Sequence, residues 1–186
     1  MFILSERPLS MERDMPDKVF NVLFLCAGNS ARSVMAEAIL NREGEGRFRG
    51  FSAGSNPSGE IAAGCLDVLS RLGFDTSGLR AKSWEEFAAP DAPMMDFIFT
   101  VCDDAAGETC PVWPGHPVTA HWGIEDPCIA EGSDAERDHA FCQALRFLEN
   151  RISLFTSLPI EKLDAIALKS RVAEIGRIEG ASPAAQ

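Results

Sequence analysis

Seven consecutive residues, Val19-Phe-Asn-Val-Leu-Phe-Leu25, are almost all apolar and β-favouring, and a polar segment with a glycine, Cys26-Ala-Gly-Asn-Ser-Ala-Arg32-Ser33, follows at once. A strand without in-out alternation is apolar on both faces, as in a parallel sheet covered on each side by helices. Beyond the polar segment, Val34, Met35, Ala38 and Ile39 recur at helical spacing. The unit therefore reads strand, tight loop, helix, with Cys26 at the carboxyl end of the strand.

The same alternation continues down the chain. Arg47 to Ala53 reads as a short strand, and Ile61 to Leu72 as a helix with Ala62, Leu66 and Leu69 on one face and Gly73 as its stop. Ser83 is placed to cap a short helix through Ala88, Met95 to Val101 is an apolar strand, and Val118 to Trp122 a weaker fourth. Ser133 to Phe155 carries a helical stripe of Phe141, Leu145, Leu148 and Ile152. Such an order predicts an α/β fold, a parallel sheet with helices on both faces and its ligand at the carboxyl ends of the strands. Pro159 interrupts the chain before a last helical segment, Glu161 to Ile178, where Leu168, Val172 and Ile175 share a face. This C-terminal extension is expected to pack on its own domain, and Gly180 to Gln186 to fray. The division is a flexible leader over 1–18, an α/β domain over 19–157, and a C-terminal helix and tail over 158–186.

A chain of 186 residues fits one such domain. Its 28 acidic and 17 basic residues leave a formal charge of −11, which repels nucleic acid and anionic membrane surfaces. Neither class of partner is expected, and any anion site must be local. No apolar stretch approaches a signal-peptide core or a membrane span, which points to the cytoplasm. In that compartment the six cysteines, at 26, 65, 102, 110, 128 and 142, are expected to be reduced, catalytic or metal-bound rather than a disulfide framework.

Residues Ala27, Gly28, Asn29, Ser30, Ala31, Arg32 and Ser33 suit an oxyanion. Backbone N–H groups of a loop that closes onto a helix start point inward, and the Arg32 guanidinium adds a fork for two anion oxygens. A positive field of this kind favours a thiolate, so Cys26 reads as a nucleophile held against the bound anion, with Ser33 donating to its sulfur. Spacing alone is weak support, because Cys65 and Arg71 repeat it inside a helical pattern that has no preceding strand. Cys65 is read as core. The segment also lacks the Gly-Lys-Ser/Thr ending of an ATP or GTP loop, so no nucleotide or other cofactor is implied.

The run Val22-Leu-Phe-Leu-Cys-Ala-Gly-Asn-Ser-Ala-Arg-Ser-Val-Met-Ala-Glu37 resembles the phosphate-binding loop of the low-molecular-weight protein tyrosine phosphatase superfamily, and within it the arsenate reductases. The resemblance extends from about Val19 to Phe155 and implies a four-stranded parallel sheet flanked by helices. It also implies a general acid in a late Asp-Pro pair, here Asp126-Pro127, with Asp103 and Asp104 as fallback candidates. Cys102 closes the third strand, and in a doubly wound sheet that strand end lies beside the first loop. Val101-Cys-Asp-Asp through Glu-Thr-Cys-Pro-Val-Trp-Pro114 resembles the redox segment of arsenate reductases that use three cysteines. The implied mechanism is a relay. Cys26 attacks arsenate, Cys102 attacks the Cys26 sulfur and releases arsenite, and Cys110 closes a disulfide with Cys102. Thioredoxin is the implied reductant, with glutaredoxin and glutathione as the other route, and phosphate or sulfate would compete as oxyanions.

Several residues depart from that pattern. Ala31 stands where phosphatase relatives often carry a second cysteine, and Cys128, directly after Asp126-Pro127, is either a bystander or a trap for the relay. Cys142 lies beside the apolar stripe of the long helix and is expected in the core. Zinc held by Cys102, Cys110, His116 and His121 is disfavoured, since structural sites pair their cysteines more closely, and no metal site is assigned. A potassium site described for some relatives would involve Asn29, Glu37 and Ser52, though no further carboxylate stands at the matching place. The competing functions are a tyrosine phosphatase using Cys26, Arg32 and Asp126, and a non-catalytic oxyanion or redox sensor. Against the phosphatase, the chain has no Tyr to grip a phosphotyrosine ring beside the acid, leaving Trp113 and Trp122 for that task.

Overall fold

The computed structural model describes residues 18–108 and 111–185. Four parallel strands, β1 (Phe20–Cys26), β2 (Phe48–Gly54), β3 (Phe97–Thr100) and β4 (Val118–His121), form one sheet in the order β2-β1-β3-β4. Among the described residues six α-helices accompany them: α1 (Arg32–Glu43), α2 (Ala63–Arg71), α3 (Glu85–Ala88), α4 (Asp103–Gly107), α5 (Asp134–Thr156) and α6 (Ala165–Gly176).

The unbroken apolar run of β1 has its explanation in the two cores that this central strand separates. Val22 and Phe24 face the larger one, beneath α1 and α5, while Leu23 and Leu25 face a smaller one with Phe87, Met95 and Ile98. Register sets the site. Cys26 pairs with Gly54, Leu25 with Thr100, and Thr100 with His121, so all four strands end at one rim.

Ser133 caps α5 through a reciprocal box with Glu136, as the residue types favour. Ser83, still bridged to Gly54, caps the first turn of α3 as expected, its hydroxyl accepting the Glu85 N–H at 3.3 Å and its carbonyl the Glu86 N–H at 3.2 Å. The last helix begins at Ala165, four residues later than its periodicity suggests, after a 3-10 turn over Ile160–Lys162. It packs on β4 of its own chain, where the fully buried Trp122 indole donates to the Val172 carbonyl at 2.8 Å.

The tail from Gly180 to Ala185 is not frayed. Ser182 donates its N–H to Gly123 O at 2.9 Å and its hydroxyl to Asp103, and Ala185 is buried. These partners are brought by distant segments, which no local periodicity announces. The expected leader falls outside the described residues apart from Lys18, which pairs with Asp96 at 2.6 Å. Among the described residues, no helix is long and apolar enough to cross a membrane.

Candidate active site

The loop between β1 and α1 is held from outside. Backbone N–H groups of Ser55, Asn56, Ser58 and Ala62 donate to the carbonyls of Cys26, Ala27, Gly28 and Ser30 at 2.9–3.3 Å. Asn29 turns the chain with a left-handed φ of 46°. A side chain at Gly54 would collide with the Ala27 carbonyl, so β2 must end in glycine for the loop to lie so close. Helix α1 starts at Arg32 with no side-chain cap and no acid in its first turn, leaving its positive end to a ligand.

Cys26 is buried, and its sulfur lies 2.8 Å from Ser33 Oγ and accepts the Asn29 N–H at 3.1 Å. The Asn29 amide donates to Ser33 Oγ at 2.9 Å and to Ser52 Oγ at 3.0 Å, while its Oδ1 accepts the Lys82 N–H at 2.6 Å. Accepting from Asn29 leaves the Ser33 hydroxyl its own proton, which it donates when the sulfur is a thiolate. Two donors thus converge on Cys26, the arrangement that a thiolate needs. Ser52 in turn donates to Glu37, which also receives the Lys82 ammonium at 3.0 Å.

The residues implied for potassium do converge, yet they do not fit a metal ion. The Glu37 carboxylate they would offer already holds the Lys82 ammonium, whose side chain is 6% exposed and whose second partner is the Arg80 carbonyl at 3.0 Å. Lys82 went unread in the sequence. A lysine in a loop between two helices is ordinarily solvated, but the bridge of Gly54 to Ser83 and the Asn29 amide hold this segment against the end of β2.

Cys102 sits where the sheet topology places it, at the end of β3 and the cap of α4. Its sulfur accepts the Ala105 N–H at 3.4 Å and, across the rim, the Ala27 N–H at 3.2 Å. Burial pushes this thiol up, against the pull of those two donors. Cys110 lies outside the described residues. Asp103, a fallback acid, is engaged otherwise, accepting from Ser182 and lying 2.9 Å from His121 Nε2. Burial raises its carboxyl, but those hydrogen bonds hold it below the usual carboxylate range. The other His121 nitrogen lies 2.7 Å from Thr100 Oγ1, so both ring positions have partners.

Arg32 and Asp126 meet directly. The guanidinium donates Nη2 to Asp126 Oδ2 at 2.7 Å and Nη1 to the Ile124 carbonyl at 3.1 Å, so its fork is turned to the 124–126 segment rather than into the loop. The second Asp126 oxygen accepts the Cys128 N–H at 2.9 Å. This pair borders a cleft of about 730 Å³ whose far wall is Phe147 and the tail residues 180–183. Cys128, in the 3-10 turn that follows Asp126, is exposed as a residue, with a thiol pushed up to about 11 by partial burial and the neighbouring Asp126 carboxylate.

The other thiols and the indoles lie elsewhere. Cys65 is fully buried, and burial pushes its thiol up to about 12, as suits a core residue. Cys142, expected in the core, is only half-buried, because it sits at the edge of the α5 stripe where Arg71 reaches it at 3.4 Å. Neither tryptophan is free to grip a ring beside the acid. Trp122 is stacked on Phe99 at 4.0 Å in the core, and Trp113 packs on the smaller core across the sheet.

Fold and site together define a class: a doubly wound sheet whose first strand delivers a cysteine into a loop closing on a helix start, with an arginine and an Asp-Pro carboxylate beside it. The family model for low molecular weight phosphotyrosine protein phosphatase matches residues 21–165. An arsenate reductase of Shouchella clausii (strain KSM-K16) is 33% identical over 134 residues, spanning 72% of this chain and 93% of that protein. The structure of an arsenate reductase from Archaeoglobus fulgidus DSM 4304 aligns with a TM-score of 0.58 at 26% identity, over 74% of this chain and 99% of that one. An arsenate reductase solved in a phosphate binding state aligns at 0.56 with 27% identity, over 73% and 98%. The chain belongs to the low-molecular-weight phosphotyrosine protein phosphatase family, on its arsenate reductase branch.

Proposed function

We propose that the chain reduces arsenate to arsenite through a relay of Cys26, Cys102 and Cys110. The observation that carries this reading is the Cys102 sulfur, which accepts a hydrogen bond at 3.2 Å from Ala27, the residue next to the nucleophile. A hydrolytic enzyme has no use for a second thiol there.

In the first step the Cys26 thiolate forms a bond to arsenic while an arsenic–oxygen bond breaks, and Asp126 supplies the proton with which that oxygen leaves as water. Those N–H groups between Ala27 and Ser33 that are not given to the sulfurs of Cys26 and Cys102, together with the Arg32 fork, hold the remaining oxygens, the anion drawing Arg32 away from Asp126. Cys102 then attacks the Cys26 sulfur, its thiol proton passing to the departing arsenite. The sulfur–arsenic electron pair passes to arsenic, and arsenite leaves a Cys26–Cys102 disulfide. Attack by Cys110 on Cys102 frees Cys26 and leaves a Cys102–Cys110 disulfide, which an external dithiol reduces. Thioredoxin is the reductant this reading favours, with glutaredoxin and glutathione as the alternative, and phosphate or sulfate should compete for the loop.

The test is arsenate-dependent NADPH oxidation with thioredoxin and its reductase, comparing wild type with Cys102→Ser and Cys110→Ser. Turnover that needs both cysteines supports the relay. Hydrolysis of p-nitrophenyl phosphate without arsenate turnover would replace it with a phosphatase.

A further inference from the structure

The geometry points to Lys82 as a positioning residue that sets the Cys26 loop with a covalently attached cation, so that this chain needs no potassium or other monovalent ion where its fold offers one. An unbroken chain of contacts supports this. The Lys82 ammonium binds Glu37 at 3.0 Å, Glu37 accepts from Ser52, and Ser52 accepts from Asn29 at 3.0 Å. Asn29 donates onward to Ser33 at 2.9 Å, and Ser33 lies 2.8 Å from the nucleophile. The same lysine acts a second time through its backbone, whose N–H fixes the Asn29 amide at 2.6 Å and whose carbonyl accepts from Gly54 at 2.8 Å.

The direction of each bond follows from the charge. Glu37 is mostly buried and needs a counter-charge; once it has one, it orients the Ser52 hydroxyl, which leaves the Ser52 oxygen to the Asn29 amide. Without the ammonium, Glu37 would take up a cation from solution or pull on Ser52 and Asn29, and the donors on Cys26 would lose their aim. Lys82 touches neither sulfur nor substrate, so its effect must appear through the nucleophile.

The experiment follows iodoacetamide labelling of Cys26 at pH 7 by peptide mass spectrometry, beside arsenate turnover, in potassium, sodium, ammonium or choline chloride at equal ionic strength. Wild type should label and turn over equally in all four, within about two-fold. Lys82→Met in choline should lose about ten-fold in Cys26 labelling and in kcat with little change in KM, and potassium or ammonium should restore most of both. The double variant Glu37→Gln, Lys82→Met has no carboxylate to hold a cation and should not respond. Should Lys82→Met be too unstable for kinetics, its Tm should rise with potassium but not with choline. Potassium activation of wild type, wild-type labelling by Lys82→Met in choline, or a Tm indifferent to cations would overturn the inference. The turnover arm rests on the reductase reading and the labelling arm does not, so absent turnover with the predicted labelling would remove only the former.

Discussion

The two sides of the candidate site are built differently. Behind Cys26 a largely buried chain of polar groups is bonded end to end, from Ser33 through Asn29 and Ser52 to the Glu37–Lys82 pair. In front of it Asp126, the proposed acid, lies in a surface segment, joined to Arg32 by one ion pair at the edge of an open cleft. A nucleophile must be aimed before substrate arrives, which favours the closed network. An acid must exchange protons with water and release its arginine, which favours the open side.

Substitutions should separate the two sides. Cys26→Ser should lower arsenate-dependent turnover on the order of 10⁴-fold or more, because no other group forms the first bond. Asp126→Asn should cost about 10²–10⁴-fold in kcat, with a stability change of only about 1 kcal/mol in urea unfolding, since the lost ion pair is partly exposed. Asn29→Ala should do the opposite in proportion. It removes three side-chain hydrogen bonds of a buried residue held at positive φ, and should destabilise the fold by about 3 kcal/mol while also slowing Cys26.

Titration offers a gentler probe of the buried side. The Cys65 thiol, whose folded pKa of about 12 lies above an ordinary value near 9, keeps its proton longer folded than unfolded. Its contribution to stability is complete below about pH 9 and disappears as pH rises toward 12, so stability should fall across that window and Cys65→Val should flatten the slope. The smallest effect is expected at the other buried cation. Arg151, unlike Lys82, has no acidic partner, its Nε and Nη1 lack a partner among the described residues, and burial pushes it down to about 10. Its Nη2 donates to the Gly176 carbonyl at 3.4 Å; Arg151→Met should leave the unfolding midpoint unchanged or raise it by about 1 kcal/mol equivalent, whereas loss of more than that would show that this bond outweighs the cost of burying the charge.

Much of the site was legible because its signals are local. The strand run, the glycine loop and the helix spacing place Cys26 and Arg32 within eight residues of one another, and Asp126-Pro127 follows a recognisable strand. The direction of the Arg32 fork was not legible, because it depends on where the 124–126 segment returns over the rim. The ordered tail and the fate of Trp122 were hidden for the same reason. An aromatic two residues before a loop reads equally well as core or as cleft until a neighbouring helix covers it, and here α6 does so.

Read alone, the sequence determined the α/β alternation, the thiol at the carboxyl end of the first strand, and the cysteine at the end of the third. Periodicity and turn chemistry act over a few residues and are written in order along the chain. Tertiary structure alone decided that Lys82 is buried against Glu37, that Asp103 secures the tail rather than serving as a free acid, and that Arg32 meets Asp126. Each of those is an electrostatic partnership between residues 45 or more positions apart. A charge finds its counter-charge only after the sheet has set their distance.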